Sequence, residues 1–353
     1  VHSTDDNSLA PAIAEQLAAR AGDDAAALVQ IGRLVAGKDA TMARRLARRA
    51  LALAPPDGKV SALAREMLAR GVARWHFTIV ADERRNQAYD AAIRRAVRPG
   101  MRVLDIGAGT GVLAMMAARA GAAEVISCEM NETIAEAAAG IVRANGFGDR
   151  IRVIAKHSQD LDPAEMGGPV DVLVSETISN DVVAQGWLPA LDDARARLCK
   201  ADAVVIPSRT IARVALAHDS DLNQERMGEI DGFDLSGFND LARPCYQLRA
   251  DLQRLQLRSA PADLFDFDFQ SGAMPDEQAS ATLIADGNEI NGIVQWIAIG
   301  LDAETWYDNA PGGPSCWAPV FHPLREPIAP PAGTQLIVSG AYDRRRMIVW
   351  LDG

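Results

Sequence analysis

The sequence predicts a doubly wound, Rossmann-like α/β unit set between an N-terminal α-helical extension and a C-terminal β-barrel. Three observations predict it. First, the short apolar runs "RVLDIG" (102–107), "EVISCE" (124–129), "IRVIAK" (151–156) and "DVLVSE" (171–176) alternate with helical stretches such as "VLAMMAARAG" and "TIAEAAAGIVRANG". That alternation builds a parallel sheet with crossover helices. Second, residues 9–70 are rich in Ala, Leu and Arg, with apolar residues at helical spacing. Third, beyond "AVVIPSRTIARVAL" the helical pattern fades into short strand-like runs between Gly, Pro and Asp turns: "LRADLQRLQL", "GIVQWIAIGL", "QLIVSGAY" and "RMIVWL". The divisions fall at 1–70, 71–208 and 209–353.

Bulk properties narrow the function. The 353-residue chain carries 36 Lys and Arg against 47 Asp and Glu, a net charge of −11. Such a balance argues against a nucleic-acid partner, which needs a basic surface. It suits attraction of a cationic substrate, and equally suits solubility alone. Cys128, Cys199, Cys245 and Cys316 stand apart with no CxxC spacing, which points to a reduced compartment and no metal site. No apolar run approaches the roughly 18 residues of a membrane span, and the polar start "VHSTDDNS" is not a signal peptide. The expectation is a cytoplasmic protein with no membrane partner.

Within the N-terminal extension, "AALVQIGRLVAGKDATMARRLARRALALAPPDG" reads as helix, turn at Gly37-Lys38-Asp39, helix, then a Pro-Pro stop. It resembles a tetratricopeptide-type hairpin. One such unit cannot bury its own face, so it either caps the rest of the chain or presents a groove to a partner.

"VLDIGAGTGVL" (103–113) places Gly107, Gly109 and Gly111 between a strand and a helix, with Asp105 in the strand. The spacing is G-x-G-x-G rather than the G-x-G-x-x-G of nicotinamide enzymes. Glu129 ends the next strand, where a carboxylate can hold two ribose hydroxyls by charge-assisted bonds. This combination resembles the S-adenosylmethionine (SAM) site of class I methyltransferases, with a nicotinamide site or a plain Gly-rich turn as the competing readings. In that fold the turn after the third strand covers adenine, making Ser158 and Gln159 of "AKHSQDLD" candidates. "RWHFTIVADERRNQAY" (74–89) looks like the helix that closes over SAM in one branch of these enzymes, where an arginine pairs with the SAM carboxylate. Arg85 is the candidate and its neighbour Arg84 the rival.

Together with "ANGFGDRIRVIAKHS" and "SETISNDVVAQGWLPAL", these segments resemble the protein arginine methyltransferases over most of the chain. The likeness is greatest to the branch holding the monomethylating type and the type with tetratricopeptide repeats. The resemblance implies a SAM-binding Rossmann-like domain, a β-barrel, and a dimerisation arm near 226–250 that begins at "IDGFDLSGFNDL" (230–241) and pairs two copies. It further implies methyl transfer to a guanidino nitrogen of an arginine in protein, peptide or free form.

On the acceptor side, Glu176 matches the first of the family's two glutamates, and Gln185 stands at the second. The family's Thr-His-Trp loop reads Ser315-Cys316-Trp317. Two carboxylates orient a guanidinium and draw its positive charge away from the attacking nitrogen. Gln185 accepts a hydrogen bond without supplying charge, which weakens arginine transfer or retunes the pocket for another nitrogen nucleophile. A SAM-binding scaffold without catalysis is the reading from outside enzymology. Asp181, five residues after Glu176, either joins the site or is an exposed loop residue capping the following helix. Trp317 either flanks the substrate's aliphatic stem or packs in the core, and His322 either replaces the loop histidine or is structural.

Overall fold

The computed structural model describes residues 8–220, 226–248 and 254–352. Four helices come first: α1 (Pro11–Ala21), α2 (Ala25–Val35), α3 (Ala40–Leu53) and α4 (Lys59–Ala69). The helix pair expected around the Gly37-Lys38-Asp39 turn is α2 and α3, which pack on each other, with α1 before them and α4 after them. Asp24 accepts from the Ala26 and Ala27 N–H groups at 3.0 Å, and Asp39 accepts from the Met42 N–H at 2.8 Å. These bonds satisfy the free donors that open α2 and α3. Leu28, Val29, Leu46, Ala47 and Ala64 bury a small core of their own.

Two helices, α5 (Trp75–Val80) and α6 (Glu83–Ala96), lead into the central layer. There β1 (Arg102–Ile106), α7 (Val112–Ala120), β2 (Glu124–Cys128), α8 (Glu132–Ala144), β3 (Ile151–Ile154), α9 (Pro163–Met166), β4 (Val170–Ser175), α10 (Trp187–Arg197) and β5 (Cys199–Ile206) follow in turn. The sheet order is β3-β2-β1-β4-β5 and every pair is parallel. Val103, Leu104, Val125, Ile126, Val172 and Leu173 are fully buried, as strands covered on both faces require. Strand order reverses between β1 and β4. That switch point opens a crevice at the carboxyl ends of the strands, the usual place for a ligand in such sheets.

The rest is β-rich: β6 (Arg209–Asp219), β7 (Glu229–Ile230), β8 (Phe233–Asp234), β9 (Tyr246–Gln247), β10 (Leu255–Leu257), β11 (Ala262–Asp268), β12 (Gln278–Ile284), β13 (Ile290–Gly300), β14 (Trp306–Asp308), β15 (Val320–Ile328), β16 (Gln335–Tyr342) and β17 (Met347–Leu351). One sheet runs β10-β6-β13-β15-β9, with β11 on β6 and β14 on β13, and a second runs β12-β16-β17. The β-rich character matches expectation. Among the described residues the hydrogen-bonded strands run as separate sheets. Phe265, Phe267 and Tyr342 pack between the sheets. Trp187 of α10 meets Phe269 edge-on at 5.6 Å and ties this unit to the central layer. Residues 249–253, part of the run "LRADLQRLQL" and the end of the expected arm, lie outside the described residues. No described helix is long and apolar enough to cross a membrane.

Candidate active site

A cavity of about 480 Å³ fills the crevice. The loop after β1 forms its floor. Gly107 has φ +85°, and a Cβ there would lie 2.5 Å from Thr177 Cγ2. Only glycine suits that turn. The N–H groups of Gly107 and Ala108 both donate to the Cys128 carbonyl at 2.9 Å, fastening the loop to the end of β2. Just beyond Cys128, Glu129 is buried on the cavity wall, accepting from the Gly109 N–H at 3.2 Å and the Asn131 N–H at 2.9 Å. Asp105 sits behind the lining. Ser127 donates to its Oδ2 at 2.7 Å. Burial pushes its carboxyl up to about 6, against the Ser127 bond and the Arg85 charge.

Opposite, α6 and β4 bring together an ion pair. Asp82 opens α6 by accepting from the Arg85 N–H at 2.9 Å, which turns Arg85 inward. Arg85 is 2% exposed, and its guanidinium lies 3.1 Å from Glu176 Oε2 and 4.9 Å from the Tyr89 ring centre. Tyr89 in turn donates to the Ser175 carbonyl at 3.0 Å, holding the end of β4. Burial pushes Glu176 up to about 7, with Arg85 pulling the other way. Arg84 points elsewhere, donating to the Pro314 carbonyl at 2.9 Å. Of the two arginines, Arg85 is the one that lines the cavity.

The sequence's candidates divide cleanly. Arg85, Gly107, Gly109, Glu129, Ser158, Glu176, Gln185 and Trp317 meet at the cavity. Gly111 lies behind it, as the left-handed residue that opens α7. Gln159 is exposed and outside the lining. Asp181 folds back into its own loop, accepting from the Ala184 N–H at 3.0 Å and from the Ser179 hydroxyl. His322 is buried in β15 and shares a hydrogen bond of 2.9 Å with Gln295, and burial lowers it to about 4. Its place is structural. Trp317 packs edge-on against Tyr307 at 5.5 Å and also lines the cavity.

Over 273 residues the chain is 39% identical to the arginine N(omega)-methyltransferase of Streptomyces achromogenes subsp. streptozoticus, covering 76% of this chain and 75% of that one. The chain belongs to the arginine N-methyltransferase family. Residues 88–213 match the family model of ribosomal protein L11 methyltransferase. Protein arginine N-methyltransferase 7 of Drosophila grimshawi is 34% identical over 250 residues, which cover 63% of this chain and 35% of that relative. The chain thus spans about a third of such longer relatives. In fold, it matches the Trypanosoma brucei PRMT1 enzyme–prozyme heterotetrameric complex with AdoHcy at TM-score 0.70 and 23% identity, covering 81% of this chain and 95% of that one. Arabidopsis thaliana protein arginine methyltransferase 10 follows at TM-score 0.65 and 20% identity, over 78% and 90% of the two chains.

Members of this family take their methyl group from SAM, and the residues present fit it. Among the described residues, Glu176 Oε1 and Arg85 Nε are buried polar atoms at the cavity without a hydrogen-bond partner. Such atoms are expensive to leave unpaired, so a polar ligand resolves what the chain alone does not. The floor at Gly107 has no room for a side chain, as close backbone approach to a ligand requires.

Four further residues of this methyltransferase escape sequence reading: Asp82, Tyr89, Asn131 and Tyr307. Asp82 and Asn131 carry a local signal, each a helix-opening Asp or Asn before α6 and α8. Tyr307 carries none. Its hydroxyl donates to Asp82 and lies 2.8 Å from the Ser315 hydroxyl, while the Cys316 N–H donates to Asp82 Oδ2 at 2.9 Å. Against the effect of burial, the bonds from Arg85, Tyr307 and Cys316 hold the Asp82 carboxyl below its ordinary value. Burial, with the Asp82 and Glu176 carboxylates nearby, pushes the Cys316 thiol up to about 12. It stays protonated and is no nucleophile.

Proposed function

We propose that this chain transfers a methyl group from SAM to a guanidino nitrogen of arginine, in a protein, a peptide or the free amino acid. The observation that carries the reading is Glu176: a buried carboxylate at the end of β4 that is paired with Arg85 and whose Oε1, among the described residues, is unpartnered at the cavity. SAM supplies an electrophilic methyl group on a sulfonium. Glu129 is set for ribose hydroxyls, Arg85 for the carboxylate of the amino-acid part, and Ser158 for the adenine edge. Glu176 receives the guanidinium of the acceptor, fixing its plane and drawing charge from the attacking nitrogen. Gln185 accepts one further hydrogen bond, and Trp317 flanks the aliphatic stem.

One observation favours a second reading. Gln185 leaves Glu176 as the acidic side chain of the acceptor end of the cavity, an arrangement that also suits a neutral nitrogen nucleophile. Labelled SAM offered with free arginine, arginine peptides and arginine-containing proteins separates the two readings. Label on a guanidino nitrogen, lost in E176Q, supports the first. Label confined to other nitrogens refutes it.

The finer architecture belongs to the same proposal: a division at 1–70, 71–208 and 209–353, tetratricopeptide-like pairing of the first helices, closure of the β-rich unit as a barrel, and a cytoplasmic setting. So does a homodimer through residues 226–250. Phe233, Phe238 and Leu241 in that stretch are 69, 59 and 75% exposed, an apolar surface that a second copy would cover. Light scattering of the chain and of F238D/L241D tests it. A monomeric wild type refutes it.

A further inference from the structure

The doublets of "ARRLARRA" put four arginines on α3 at positions 44, 45, 48 and 49. Residues four apart share a helix face, so the helix carries two adjacent arginine rows. Their partners differ. Arg45 pairs with Glu15 of α1 and Arg49 with Asp23 in the turn between α1 and α2 (2.9 Å), both within the N-terminal helical segment. Arg44 and Arg48 instead reach the first turn of α8. Arg44 Nη2 lies 2.5 Å from Glu132 Oε2, which also accepts from the Thr41 hydroxyl at 2.7 Å. Arg48 pairs with Glu136 and reaches the Thr133 carbonyl at 3.4 Å.

That turn of α8 also orients the cofactor site. Its opening residue, Asn131, donates its backbone N–H to Glu129, and its side chain caps the Thr133 N–H at 3.0 Å. The Asn131 amide then donates to the Gly71 carbonyl at 3.0 Å. Gly71 lies in the strap between α4 and α5, and Gly71, Ala73, Trp75 and His76 line the cavity. The N-terminal helices therefore grip two walls of one cavity, through α8 and through the strap.

We propose that these helices are a buttress of the cofactor site, with Thr41, Arg44 and Arg48 as positioning residues that hold Glu129 in place through the first turn of α8. The inference rests on SAM as the occupant of the cavity. Exposed ion pairs are individually weak, but reversing two of them places four acidic groups against one another.

Calorimetric titration of the full chain with S-adenosylhomocysteine tests this, with thermal melts as the control for folding. R44E/R48E should raise Kd roughly tenfold. The milder T41V should raise it roughly twofold to threefold, keeping a readout if the double variant folds poorly. R45E/R49E, whose partners lie within the N-terminal helical segment, should leave Kd within about twofold. Reversal of both sides, R44E/R48E/E132R/E136R, should recover most of the loss. Wild-type Kd in R44E/R48E and T41V, or equal weakening by R44E/R48E and R45E/R49E, overturns the proposal. Failure of the wild type to bind the ligand at all overturns the cofactor assignment instead.

Discussion

Replacing Glu176 by glutamine should make the protein more stable and nearly inactive at the same time. In the folded chain Glu176 is pushed up to about 7 by burial, even with Arg85 3.1 Å away. A glutamate in the unfolded chain titrates near its ordinary value of 4.5. The folded state therefore holds this proton more tightly than the unfolded state. Wild-type stability falls as pH rises from the unfolded value through the folded one, and the loss is complete above it. A gap of roughly 2.5 units at 1.36 kcal/mol each amounts to about 3 kcal/mol. E176Q is neutral at every pH and escapes that loss. Its stability relative to wild type should climb by about 3 kcal/mol between pH 4.5 and pH 8. Guanidino methylation at pH 8 should drop on the order of 100-fold, since charge-assisted bonds to the acceptor vanish. Urea and thermal unfolding of both proteins across that range, beside a labelled-methyl assay, supply the numbers. A stability difference that stays flat with pH, or an E176Q that loses ground above pH 7, would refute the reasoning and mark the Arg85 pair as net stabilising.

Other expectations follow from the same geometry. Because the acceptor clamp needs ionised Glu176, kcat/KM for a guanidino acceptor should rise about tenfold per pH unit below about 7 and level off above it, which a pH profile measures. Q185E restores a second carboxylate beside the acceptor and should raise kcat/KM for arginine compounds by roughly tenfold, with little change in affinity for S-adenosylhomocysteine. Y307F removes the hydroxyl that joins Asp82 to Ser315, so it should lower stability by about 1 kcal/mol and weaken acceptor binding. Wild-type melting and KM in Y307F would count against that link. G107A forces a side chain at φ +85° against Thr177 and should cost about 1–3 kcal/mol of stability and abolish measurable cofactor binding.

Local pattern made the central layer legible. The strands β1 to β4, the glycine turn and Glu129 all follow from apolar runs and short spacings, and each lies where those patterns put it. Adjacent positions on a helix were not separable by pattern. Arg84 and Arg85 differ by one step of the α6 spiral, and only the Asp82 cap and the Tyr89 ring show which faces Glu176. Asp181 illustrates local competition, since a short acidic side chain in a loop finds its own backbone before it finds a substrate. Tyr307 was invisible for another reason: its partner Asp82 is 225 positions away, and no spacing rule spans that distance. The arginine doublets of α3 were visible, but their division between two sets of partners depends on where α8 docks.

The reversal of strand order between β1 and β4 separates two inheritances. On the proposed function, the methyl donor is met by the ends of β1 and β2 and by α6, and the acceptor by the loop after β4 and by residues 316–318, which line the same cavity. Gln185 and Cys316, the two departures from the family pattern, both lie on the acceptor side. Substitutions there leave the glycine floor and the Glu129 cradle untouched. The sheet thus offers evolution a constant donor half and an editable acceptor half, so new nitrogen nucleophiles are reachable by changing a few loop residues while the donor half stays as it is.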